Sequence, residues 1–122
     1  MSESSDSMAE LFAEMGPHVS PDDDVAPDVP VLLLVLEFAL PGALSIKDKR
    51  RALGGLRQRF GKATGLAACE SGYQNDLRRA QWSFIATAAD RRVAEQSLAA
   101  VEEFAATRLD AQLLSCTRHE LN

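Results

Sequence analysis

A chain of 122 residues that is 46% hydrophobic can bury one substantial core and is too short for two ordinary domains. Its formal charge of −5 conceals a dipole, because residues 1–30 carry eight acidic side chains and no Lys or Arg, whereas residues 31–122 carry thirteen basic against ten acidic. The longest apolar run, Val31 to Leu36, falls well short of the about 20 residues of a membrane helix, and no basic-then-apolar leader opens the chain, so a cytoplasmic protein without a membrane partner is expected.

Residues 1–30, rich in Ser, Asp and Pro, read as a disordered acidic tail. Met8, Leu11, Phe12 and Met15 fall at helical spacing before Gly16-Pro17 and predict at most a transient amphipathic helix there. From Val31 to Leu40 a strand is apolar on one side throughout (Leu32, Leu34, Leu36, Phe38, Leu40) and on the other as far as Glu37, which is the pattern of a central strand. A Pro41-Gly42 turn follows, and Ser45 with Asp48 three residues later forms a capping box that starts a helix from Ile46 to about Lys62. Ile46, Leu53, Leu56 and Phe60 make its core stripe, with Lys49 inside the stripe and Lys47, Arg51 and Lys62 pointing away. Gly54-Gly55 lies mid-helix at roughly 1 kcal/mol per Gly against Ala, so something packs or binds close there. Gly61 or Gly65 supplies the stop.

Leu66 to Glu70 reads as a second strand and Ser71 to Arg79 as a polar loop. Gln81 to Ala89 alternates, with Trp82, Phe84, Ala86 and Ala88 on the core face. Asp90 caps a second helix whose apolar face is Val93, Ser97, Leu98, Val101, Phe104 and Ala105, and residues 111–118 make the last strand. The order β-α-β-β-α-β predicts an α+β ferredoxin-like two-layer sandwich over residues 31–122, two helices on one face of an antiparallel sheet of order 4-1-3-2. Cys69 and Cys116 then lie on opposite edges and cannot bridge.

Chemistry-bearing motifs are sparse. Gly55 to Lys62 fails as a phosphate loop, since five residues separate Gly55 from Gly61 and Ala63 stands where Ser or Thr is needed. Gly61-Lys62-Ala63-Thr64-Gly65 has three residues between its glycines, not the two of a KH loop. Cys116 and His119 alternate to opposite strand faces and make no metal pair. The two histidines, His18 in the tail and His119 near the end, are not well placed to activate a Ser or Cys, and Glu102-Glu103 diverge on a helix. No catalytic residue, metal, cofactor or small-molecule substrate is expected.

One feature stands out. Residues 47–62 hold seven of the thirteen basic side chains against Asp48 alone, a local charge of +6. Lys47, Lys49, Arg50 and Arg51 crowd the helix start, where unpaired N–H groups already carry partial positive charge and cations are disfavoured. A broken local rule of this kind marks a candidate site. Ser45, Lys47, Arg50, Arg51 and Arg57 form a candidate anion or RNA surface beside the Gly42 turn. Lys49, pointing at the sheet, is expected to bury its stem and form a structural ion pair with Glu37 or Glu70.

The segment Leu40 to Arg51, Glu70 with Gln74, and Ala89-Asp90-Arg91-Arg92 together resemble the YlxP-like family of small bacterial proteins of unknown function. The resemblance implies a ferredoxin-like fold and a cytoplasmic protein encoded in many bacteria among translation and ribosome-maturation genes. The family offers no catalytic residues to carry over. The acidic tail is extra to it, and Ser71-Gly72-Tyr73 stands where the family tends to place an acidic or histidine-bearing loop. A non-enzymatic module binding structured RNA or a ribosomal particle is therefore expected, with the acidic tail read first as a solubilising segment and, as the alternative, as a polyanion mimic that covers the basic helix. The alternative is a homo-oligomeric scaffold or protein-interaction domain joined through Val31, Leu33, Val35 and Ile85.

Overall fold

The computed structural model describes residues 29–121. Residues 1–28 of the expected acidic tail, with its short helix, lie outside the described residues. The chain runs β1 (Val31–Ala39), α1 (Ile46–Phe60), β2 (Leu66–Gly72), β3 (Arg79–Thr87), α2 (Arg91–Thr107) and β4 (Gln112–Glu120). The sheet is antiparallel throughout, in the order β2-β3-β1-β4, which is the expected order counted from the other edge. Cys69 and Cys116 are free and sit on the two edge strands.

Strict alternation along β1 and β3 sends one set of side chains under the helices. Leu34, Leu36, Phe38, Phe84 and Ala86 are fully covered, as are Leu56 of α1 and Leu98 and Val101 of α2. Each large apolar side chain of this core contributes about 1.5–3 kcal/mol on burial. Phe60, Phe84 and Phe104 meet edge to face where the helices cross the sheet, with centroids 5.5 to 6.3 Å apart. Gly65 adopts φ +78°, and a Cβ there would come 2.7 Å from the Thr87 carbonyl, so the turn into β2 requires glycine.

The α1 stripe differs from expectation at Ile46, and the α2 stripe at Val93 and Ser97, with Ala94 buried instead. Ile46 is 39% exposed and Val93 49% exposed. The buried positions of α1 are Lys49, Leu53, Leu56 and Phe60, and those of α2 are Ala94, Leu98, Val101 and Ala105. Ala94 and Ala105, with a single methyl each, let the backbone of α2 approach the sheet, and the hydroxyl of Ser97 turns back to the Val93 carbonyl at 3.1 Å instead of joining the core. Strand β3 begins at Arg79, two residues before the expected start, because Arg79 pairs with Ala39 across the sheet. Among the described residues no helix is long and apolar enough to cross a membrane.

Candidate functional site

The start of α1 is built as its sequence dictates. Ser45, in extended backbone at φ −153°, accepts from the Asp48 amide at 3.0 Å, and the Asp48 carboxylate accepts from the Leu44 amide at 3.0 Å. The capping box thus reaches one residue further back than its usual form, and a carboxylate occupies the first turn where the helix dipole favours one. Arg51 lies 3.8 Å from that carboxylate.

Lys49 is the buried cation of the domain, with 4% of its surface exposed. Its ammonium donates to the Tyr73 carbonyl at 2.7 Å and the Asp76 carbonyl at 2.7 Å, and pairs with Glu70 at 3.2 Å. Three acceptors meet three protons, which is what makes burial of a charge tolerable. Glu37 is not its partner. Odd-numbered positions of β1 face away from the helices, so Glu37 lies on the open face of the sheet and pairs there with Arg79 at 2.9 Å. By holding two carbonyls of the β2–β3 loop, Lys49 fixes Tyr73 at φ 59°, a conformation uncommon for a residue with a side chain. The Arg79 guanidinium stacks 4.7 Å from the Tyr73 ring.

The loop so fixed forms one rim of a cleft of about 530 Å³ between α1 and the β2 side of the sheet. Ile46, Arg50, Gly54 and Arg57 line it from α1, and Glu70, Gln74 and Trp82 from the other side. Trp82 is 5% exposed, the Arg57 guanidinium lies 5.6 Å over its ring, and its buried indole N–H has no partner. An unsatisfied buried donor costs about 1–3 kcal/mol. The two mid-helix glycines have different explanations. A Cβ on Gly55 would come 3.0 Å from Phe104, so α2 packs there, whereas one on Gly54 would meet no protein atom within 4 Å. Gly54 faces the cleft.

The predicted anion-binding residues are therefore divided. Arg50 and Arg57 share this cleft; Arg51 lines a second cavity of about 730 Å³ against Pro41, Gly42 and Asp110; Lys47 is exposed and lines neither; and Ser45 is engaged as the cap. Alternation alone places Trp82 on the core face as packing, and nothing in that pattern signals an orphaned N–H. The unexplained Gly54 and the Gln74 of the family resemblance are the hints of the cleft that the sequence holds.

A family model for proteins of unknown function, DUF503, matches residues 31–118, from the first residue of β1 into β4. The chain belongs to the DUF503 family. No curated protein matches it. Across the described part of this DUF503 domain, charge is distributed unevenly. Arg91 pairs with Glu95 and Glu120, and Arg118 with Glu102 at 2.7 Å, joining α2 to β4. Cys116 is exposed on the edge strand, yet partial desolvation of its thiol and the adjacent Glu102 carboxylate push it up to about 11, while the bond to Glu102 raises Arg118 further. On α1 and its C-terminal turn, in contrast, Lys47, Arg50, Arg57, Arg59 and Lys62 pair with no carboxylate among the described residues. Arg59 instead lies over Phe60 and Phe104, at 5.8 and 5.6 Å.

Proposed function

We propose that this DUF503 domain is a non-enzymatic cytoplasmic module that binds structured RNA, alone or within a ribosomal particle, through the cations of α1. The supporting observation is the run of five basic side chains along one helix and its end without a carboxylate partner among the described residues. Cations that neutralise phosphates release counterions, so such a run gains free energy on a polyanion that it does not gain within the fold. The YlxP-like resemblance of Leu40 to Arg51 points to the same class of partner. A homo-oligomer is the second reading, favoured by Leu33, Val35 and Ile85 on the sheet face that no helix covers, where Ile85 is 40% exposed.

The test is anisotropy of a labelled hairpin RNA with the full-length protein. Lys47→Glu, Arg50→Glu and Lys62→Glu together are expected to weaken binding about a hundredfold or more. A control set of equal charge change, Arg78→Glu, Arg92→Glu and Arg108→Glu, alters exposed cations on three other segments and is expected to weaken it by less than about threefold. Equal weakening by the two sets would remove α1 as the binding face. Absence of RNA binding by a stable dimer would favour the second reading.

A further inference from the structure

Gly54 is unexplained by the protein around it. Helix interiors disfavour glycine, and unlike Gly55 it admits no neighbouring atom that a side chain would displace. It leaves bare helix backbone on the wall of the cleft, with Arg50 one turn before and Arg57 nearly one turn after, about 10 Å apart along the axis. Neither arginine has a carboxylate partner among the described residues. Trp82, whose indole N–H is buried and unpartnered, closes the cleft from the sheet. Gln58 and Gln74 add carboxamides able to donate and accept, and the charge of Glu70 is met by Lys49.

These groups ask for three things in one ligand: a flat body that fits against backbone bared of a side chain, an anionic group spanned by two guanidiniums, and an edge carrying both donors and acceptors. A nucleotide has all three. We propose that the cleft is a nucleotide site, in which the Arg57 guanidinium swings from over the Trp82 ring to share the phosphate with Arg50, leaving the base against Gly54 and the Trp82 wall with its edge toward Gln58 and Gln74. The cleft volume of about 530 Å³ lies within the range of small-molecule pockets. Guanidinium planes and carboxamides are the groups by which proteins hold unpaired bases and phosphates. The nucleotide is either free or an unpaired residue of an RNA, and the site stands whether or not the outer cations of α1 bind a duplex.

Trp82 is the chain's single tryptophan, so its emission reports on this cleft. The full-length protein is titrated with the four nucleoside monophosphates, their nucleosides, inorganic phosphate, and a single-stranded tetranucleotide. A saturable change with a monophosphate or with the tetranucleotide is expected, about tenfold weaker for the matching nucleoside and absent for phosphate alone. Response to the monophosphate assigns a free nucleotide, and response confined to the tetranucleotide assigns an unpaired RNA residue. Arg50→Gln should lower monophosphate or tetranucleotide affinity about tenfold, and Gly54→Leu, which fills the cleft from a position with open space, should abolish the response with the far-ultraviolet dichroism retained. The proposal is overturned if neither ligand moves Trp82, or if both variants respond as the wild type does. Hairpin RNA binding measured in parallel separates the two readings: a bound hairpin with a silent Trp82 removes the cleft alone, and a nucleotide response without hairpin binding removes the RNA module alone.

Discussion

Helices α1 and α2 lie on the same face of one sheet and touch through Phe60 and Phe104, yet their charges are settled differently. On α2, Arg91 and Glu102 reach ion partners on β4, so part of its charge serves to hold the last strand. On α1, the carboxylate of Asp48 serves the cap and Arg51, the buried Lys49 draws its counter-charge from β2, and the other cations have none among the described residues. Charge that the fold uses is explained by the fold. Of the cations that the fold leaves unpaired on α1, Lys47 and Arg50 stand at the helix start, where the dipole opposes them, and the proposed RNA contact would give them a counter-charge.

The largest effect expected from this contrast is at Lys49. Lys49→Met keeps the stem but leaves Glu70 and two loop carbonyls without their donor, and should lower stability by about 3 kcal/mol in urea unfolding. A decrease below about 1 kcal/mol would make Lys49 equivalent to a surface cation and erase the distinction between its role and that of its neighbours. The two glycines sharpen the contrast within α1, since substitution should act with opposite signs. Gly55→Leu crowds Phe104 and should cost about 1–3 kcal/mol, whereas Gly54→Ala should add about 0.5–1 kcal/mol, there being space for the methyl. Destabilisation by both would mean that Gly54 is also packed over, and stabilisation by both that Phe104 leaves room at Gly55.

Much of this was legible in the sequence for reasons that are periodic. Alternation in β1 and β3 and the 3.6-residue stripe of the helices fix which side of each element is buried, and with β-α-β-β-α-β order they give the sheet order and the separation of Cys69 from Cys116. The same periodicity put Lys49 in the core stripe, and applied to Glu37 it would have sent that carboxylate to the open face and left Glu70 as the partner. Stripe ends were less legible, because at Ile46 and Val93 the first turn overhangs the core and wheel position no longer decides burial. The cleft was legible only as hints, the mid-helix Gly54 and the loop residue Gln74, and its shape was not. It arises from Lys49 pulling the Tyr73 to Asp76 loop down beside α1, a long-range interaction that no local pattern encodes.

A smaller effect belongs to the α2 side. With Cys69→Ser leaving one thiol, Cys116 should alkylate at pH 9 at least about tenfold more slowly in the native protein than in urea, because partial desolvation and Glu102 hold the proton of this exposed residue. Its folded value, about 11, lies above the ordinary 9.0, so the stability it contributes is present below pH 9 and is lost as pH rises toward 11. Glu102→Gln should bring the native rate up toward the unfolded one. Unchanged protection would mean that burial alone holds the proton.

The measurement that bears most directly on α1 is the salt dependence of hairpin RNA affinity for the full-length wild type and for the Lys47→Glu, Arg50→Glu, Lys62→Glu variant. Each phosphate that the protein no longer neutralises takes about 0.9 from the slope of log affinity against log salt. The wild type is expected to show a slope of about −3 to −5 and the variant one shallower by about 3. Parallel slopes for the two proteins would contradict the assignment of phosphate binding to this helix.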